Sequence, residues 1–220
     1  MFDKKKVGDQ MDSILNEIHS LSSLDHPYIV RYFETYDTKK YLYLVMEYLD
    51  GYLLTDLIEK NTKDRSYGER TVANIILKLL KALAHCHTHK IIHRDINPTN
   101  IMITENDDSI RLIDFGLCSK ESQKSTSKVE SDPSYTAPEV FEGKTTTQSD
   151  MWSLGVVLYQ MISGHLPFDQ KSLALTIKDI MANDWHWRSP EFDHVSTECK
   201  DLIKRLLTKN PSKRLTAAKA

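Results

Sequence analysis

No stretch of this 220-residue chain approaches the roughly 18 consecutive apolar residues that a membrane-spanning helix requires. The opening MFDKKKVGDQ also lacks the apolar core of a secretory leader. Cysteine is scarce. Cys86, Cys118 and Cys199 are odd in number, far apart and without metal-ligand spacing, which excludes a disulfide framework and predicts free thiols in a reducing compartment, the cytoplasm. Charge of one sign is missing too: 29 basic against 31 acidic residues leave a net −2, so no global field favours nucleic acid or an anionic membrane. Any phosphate site must be local. There is no internal repeat and no Gly/Ser linker, and the polar run KESQKSTSK over Lys120 to Lys128 reads as a loop because it cannot pack a core.

What is present is ordinary globular composition, 40% hydrophobic and 27% charged. Ile14, Leu15, Ile18 and Leu21 recur at helical spacing, predicting a helix from an Asp12 or Ser13 cap to about Ser23, stopped by Asp25, His26 and Pro27. Residues 28–36 and 41–47 are rich in β-branched and aromatic residues around the turn DTKK, a β-hairpin pattern. After Gly51 the pattern becomes helical. A Ser66/Glu69 capping box opens a long helix carrying Val72, Ile75, Ile76, Leu79 and Leu83. The cluster His85, Cys86, His87 and His89 at its end reads as partly exposed imidazoles rather than a metal cluster. Short strands are predicted at IIH, NIMI and IRLID. Residues 149–163 are apolar on nearly every face, a helix buried inside a domain, and amphipathic helices follow near 171–182 and 196–208, the second capped by Ser196. Trp152, Trp185 and Trp187 read as packing, and Lys4 to Lys6 as a solvated turn.

Two loops carry chemistry. HRDINPTN, from His93 to Asn100, lies between short strands, and LIDFG, from Leu112 to Gly116, follows the next. Asp95 and Asp114 are 19 positions apart, so a hairpin can bring both carboxylates to one cleft. Phosphoryl transfer needs such an arrangement: one carboxylate to accept the proton of the attacking hydroxyl, and others to hold magnesium against the phosphates. Asn100 adds a neutral oxygen of the kind a hard cation prefers.

The ordered set HRDxxxxN, DFG, APE at Ala137 to Glu139, DxWSxG at Asp150 to Gly155 and Arg214 resembles the eukaryotic protein kinase family. The likeness runs from residue 1 to residue 220, as of a domain cut at both ends. It implies an α+β, bilobal fold: a partial small lobe over 1–47 (one helix and a β-hairpin), a hinge at 48–52 and a mainly helical large lobe over 53–220. It further implies a serine/threonine kinase using ATP and Mg2+ on protein substrates, with no nucleic-acid or membrane partner. Asp95 would be the catalytic base, Asn97 and Asp132 its neighbours, and Asn100 and Asp114 the metal ligands. Arg94 would steady the activation segment, Glu139 would pair with Arg214, and Asp150 would brace the catalytic loop. Glu17 would be the glutamate that meets a lysine of the preceding strand, which the chain begins too late to include. No GxGxxG occurs in these residues.

By the same resemblance Met46, Glu47, Tyr48, Leu49 and Met102 would surround adenine, while Leu21, Tyr32, His93 and Phe115 would stack between the lobes. The stretch from Ser163 to Ala217 is similar to the calcium/calmodulin-regulated group, most of all calcium-dependent protein kinases. A calcium-binding module would lie beyond residue 220, since no DxDxDG loop occurs here.

The chain departs from the family pattern at Asn97, where lysine is usual, and at Asp132, where threonine is usual. Asn97 offers only a neutral donor, and Asp132 is expected to put a second carboxylate near Asp95, where like charges raise one of the two pKa values. These departures keep open a pseudokinase, a binding or allosteric module with the same fold. Leu53 and Thr99 replace two acidic residues that relatives use on basic substrates, and Lys128 replaces the usual hydroxyl of the activation segment, with Ser125, Thr126, Ser127 and Ser131 close by.

Overall fold

The computed structural model describes residues 1–8, 11–64, 67–105, 109–120 and 131–220. Ser66, Ser125 to Ser127, Lys128 and all but the first residue of the polar run lie outside these described residues.

The chain opens with β1 (Phe2–Asp3), a single turn of helix α1 (Lys4–Val7) and helix α2 (Met11–Leu21). Helix α2 begins one residue before Asp12, so the expected cap positions fall inside its first turn. Its Ile14 and Leu21 are buried, as the spacing requires, but Leu15 is half exposed on the far side. Lys4 is no free turn residue: it sits in α1, and its ammonium pairs with Asp37.

The hairpin forms from β2 (Tyr32–Asp37) and β3 (Tyr41–Met46), closed by Thr38, whose hydroxyl bonds the carbonyl and the amide of Tyr41 at 2.8 and 2.9 Å. β1 lies antiparallel on the other side of β3. The first strand of the hairpin starts four residues later than expected, because 28–30 pair elsewhere. Leu112 donates to the Tyr28 carbonyl at 2.9 Å and accepts from the Val30 amide at 3.0 Å. That parallel bridge buries Ile29 and Val30 and fastens the small sheet to the rest of the chain.

After Glu47 to Asp50 the chain forms β4 (Gly51–Leu53), a strand the helical reading missed, then α3 (Leu54–Asp64) and α4 (Glu69–Thr88). The expected capping box is replaced at α4: Gly68 precedes the helix, and the Glu69 carboxylate accepts from the amide and hydroxyl of Ser196 instead. Four short strands follow: β5 (Ile91–Ile92), β6 (Ile101–Thr104), β7 (Ser109–Leu112) and β8 (Ser119–Lys120). β4, β6 and β7 form one antiparallel sheet, and β5 pairs with β8.

The remainder is helical: α5 (Pro138–Phe141), α6 (Thr147–Ser163), α7 (Leu173–Ala182) and α8 (Thr197–Leu206), the last capped by Ser196. Helix α6 is buried on almost all faces and carries Trp152, stacked on Phe168 at 5.6 Å. Trp185 and Trp187 pack with Tyr159 and Phe192, as packing residues should.

Helices α6 and α8 approach closely at Gly155, where an added Cβ would stand 2.8 Å from Leu206 Cβ and 3.0 Å from Leu207 Cδ2. Gly155→Ala gains about 1 kcal/mol of helix propensity but forces an overpacked contact costing about 1–3 kcal/mol. The expected net result in a urea melt is destabilisation. A variant more stable than the parent would mean that the two helices part freely.

Candidate active site

Strand pairing alone puts the two chemical loops side by side. Residues 93–100 join β5 to β6 and residues 113–118 join β7 to β8, while β6 pairs with β7 and β5 with β8. The loops are then tied directly: Ile113 N donates to the Asn100 carbonyl at 2.9 Å, and His93 Nε2 lies 3.2 Å from the Ile113 carbonyl. Arg94 and Asp114 both hold positive φ, 70° and 59°, a conformation that non-glycine residues adopt only when their surroundings impose it.

For Arg94 the imposing group is Asp150, which is almost fully buried at the start of α6. Its Oδ1 accepts from Arg94 N at 2.9 Å and its Oδ2 from His93 N at 3.0 Å, with His87 Nε2 at 2.8 Å. One carboxylate thus fixes the entry of the loop from below. His87, read from sequence as part of a helix end, is a partner of this brace; nothing in its spacing distinguishes it from His85 or His89.

Asp95 is gripped by amides. Asn97 Nδ2 donates to its Oδ1 at 2.9 Å, and Asn100 Nδ2 to its Oδ2 at 2.7 Å and to its carbonyl at 2.9 Å. With Nδ2 of Asn100 committed, its Oδ1 has no protein donor among the described residues. Asp114 Oδ1 accepts from Gly116 N at 3.0 Å. An amide oxygen and a carboxylate suit a hard divalent cation. These residues therefore fit a magnesium ion, which Asn100 and Asp114 would hold.

Glu17 of α2 also faces this region. Burial, and then the charge of Asp114, raise its carboxyl above the ordinary value, and no cation pairs with it among the described residues. Asp132 is exposed, and its side chain accepts from Ser134 N at 2.9 Å, capping its own turn. Arg94 lines a small cavity with Leu117, Ser131 and Thr136. Glu139 and Arg214 form a buried fork at 2.7 and 2.9 Å, extended by Arg214 to the carbonyls of Gln148, Thr208 and Lys209.

Leu21 and Phe115 are fully buried in one core, Tyr32 packs on it, and His93 meets Phe115 edge-on at 4.7 Å. The segment after Met46 leads straight into β4, whose Leu53 pairs with Met102. Leu49 packs on the core while Tyr48 is exposed, and the amides of both lack partners among the described residues. The Glu47 side chain is engaged, accepting from Arg31 N at 2.7 Å and meeting Arg111 at 3.4 Å.

Burial pushes the His93 imidazole below its ordinary 6.5, against the raising influence of Asp150, Asp95, the Ile113 carbonyl and Asp114. His26 and His85, stacked at 5.1 Å, are both lowered first by burial; His85 and Lys81 lower His26 further, and His89, against Asp25, lowers His85. Below about pH 6.5 the unfolded chain takes up protons that these folded imidazoles refuse. Stability is therefore full above that pH and is lost as pH falls, at up to about 1.4 kcal/mol per pH unit for His93. Urea midpoints at pH 7.5 and 5.5 check this. Equal midpoints would contradict it, and His93→Phe should flatten the slope.

Two small sheets frame the pair of carboxylate loops, and a helical body follows. A family model described as protein kinase domain matches residues 1–220, and the chain belongs to that family. Among curated relatives it is similar to serine/threonine-protein kinase DCLK3 of Mus musculus, 37% identical over 226 residues covering 99% of this chain and 28% of that protein. Calcium/calmodulin-dependent protein kinase type 1 of Caenorhabditis elegans is 34% identical, covering 99% and 63%, and that of Macrobrachium nipponense 33%, covering 100% and 64%. The chain spans less than two thirds of the length of these relatives.

Proposed function

We propose that the chain is the catalytic part of a serine/threonine protein kinase that transfers the γ-phosphate of ATP to protein hydroxyls in the cytoplasm. The observation that supports this best is the clamp on Asp95: both carboxylate oxygens accept from amides, beside an Asn100 oxygen and an Asp114 carboxylate suited to a cation. Asp95 accepts the proton of the substrate hydroxyl, and Asn97 holds that carboxylate in place. Asn100 and Asp114 hold the divalent ion, which, when bound, neutralises phosphate charge. Met46, the backbone of Glu47 and Leu49, and Met102 receive adenine. Arg94, Asp150, Glu17 and the Glu139–Arg214 fork keep these groups in register. The names of the relatives support regulation by calcium through a calmodulin-like partner or module.

Leu53 and the exposed Thr99 carry no charge where an acid would attract a basic side chain. On a peptide array with radiolabelled ATP and Mg2+, the expected products are phosphoserine and phosphothreonine with weak selection for arginine upstream. A profile dominated by upstream basic residues would contradict the role given to these two positions, and no transfer to any peptide would contradict the kinase reading.

A second reading, a pseudokinase signalling by conformation, is favoured by the neutral Asn97 beside Asp95. It expects Mg2+-dependent ATP binding without transfer, and a cellular effect untouched by Asp95→Ala.

A further inference from the structure

Thr99 sits on the solvent side of the catalytic loop, where a hydroxyl ordinarily bonds water. Its Oγ1 instead donates to Asn97 Oδ1 at 2.5 Å, and its backbone N–H donates to the same oxygen at 2.9 Å. A backbone N–H can only donate, so the amide atom it meets must be the oxygen. The other end of the Asn97 side chain is therefore the NH2, which faces Asp95 and donates to Oδ1 at 2.9 Å and, at 3.4 Å, to the Asp95 carbonyl.

Amide orientation is a choice between two nearly isosteric states. Flipped, Asn97 would set its oxygen against a carboxylate and its NH2 against the Thr99 backbone N–H, and the Thr99 hydroxyl would have to turn from donor to acceptor. We propose that Thr99 is a positioning residue: its hydroxyl, with its own amide, locks Asn97 in the one orientation that lets a neutral side chain hold the Asp95 carboxylate. The inference rests on Asp95 being the base of the kinase reading.

The consequence is that Asn97 and Thr99 work as a pair. An acid at position 99 would keep the backbone donor but place an acceptor where the hydroxyl donates. A lysine at position 97 would leave the Thr99 hydroxyl with nothing to orient. With Asn97 held, Asp95 is restrained at Oδ1 and, through Asn100, at Oδ2, and each oxygen keeps a second lone pair for the substrate hydroxyl.

The test compares Thr99→Val, which keeps the volume and removes the hydroxyl, with Thr99→Ser, which restores it, in the parent and in an Asn97→Ala background. Loss of a hydrogen bond that orients a charged partner corresponds to about a tenfold change. In the parent, Thr99→Val is expected to lower kcat about tenfold with KM for peptide unchanged, and Thr99→Ser to recover it. In the Asn97→Ala background, Thr99→Val is expected to do nothing further. By NMR, the Asn97 side-chain NH2 pair, identified by its loss in Asn97→Ala, should be shifted and slow to exchange in the parent and in Thr99→Ser. In Thr99→Val, where the backbone N–H alone remains on the oxygen, the pair should shift and exchange measurably faster.

An unchanged NH2 pair in Thr99→Val overturns the proposal, as does a kcat loss of equal size with and without Asn97. A parent chain without phosphotransfer contradicts the kinase reading alone, because the NH2 pair still reports whether Thr99 orients Asn97.

Discussion

Asp95→Asn is expected to lower phosphoryl transfer by about a thousandfold, within the range attributed to a positioned general base, and to leave the unfolding midpoint nearly unchanged. The substitution keeps the shape and removes the proton acceptor. It also sets two NH2 groups, from Asn97 and Asn100, against a side chain with only one oxygen. One of the two clamps must then turn away, adding misalignment to the loss of basicity. Initial rates with labelled ATP at saturating peptide measure the first effect, and circular dichroism melts the second. A variant keeping a tenth of the parent activity would place the base elsewhere.

Arg214→Ala should be the most destabilising single change outside the catalytic loop. It leaves Glu139 buried with one hydroxyl donor, Ser149 Oγ at 3.0 Å, and strips donors from the carbonyls of Gln148, Thr208 and Lys209. Removing one partner of a buried ion pair costs about 3–5 kcal/mol. At about 2–4 °C per kcal/mol for a chain of this size, the melting temperature should fall by about 6–20 °C. Arg214→Lys should recover little, since an ammonium cannot form the fork. Glu139→Leu with Arg214→Met should recover part of the loss: the double change removes the stranded carboxylate but not the three carbonyls. A loss under about 1 kcal/mol in differential scanning calorimetry would mark the pair as surface-like.

These expectations draw on parts of the chain that differ in how far sequence reveals them. The helices over 69–88 and 147–163 were legible because long apolar patterns and burial go together, as Leu79, Leu83 and Trp152 illustrate. The pairing of the loops with Asp95 and Asp114 was legible from motif order. Residues 28–30 were not: their β-branched composition says strand, but only the folded chain supplies Leu112 as partner in place of the hairpin. The capping box at Glu69 failed for a related reason, since a distant Ser196 takes that carboxylate. The turn cap of Asp132 is local, an Asp before Pro-Ser bonding the amide two residues on, and could have been read from that tripeptide. The grip of Thr99 on Asn97 spans only two residues, yet amide orientation leaves no mark in composition or period.

The most direct measurement is a crystal structure with Mn2+ and a non-hydrolysable ATP analogue, using the anomalous signal to place the metal. The expected result is a peak within about 2.2 Å of Asn100 Oδ1 and an Asp114 carboxylate oxygen, as hard-cation distances require, with Asp95 still held by Asn97 and Asn100 and turned to the γ-phosphate. A metal bound away from Asn100 and Asp114, or an Asp95 carboxylate turned from the nucleotide, would contradict it.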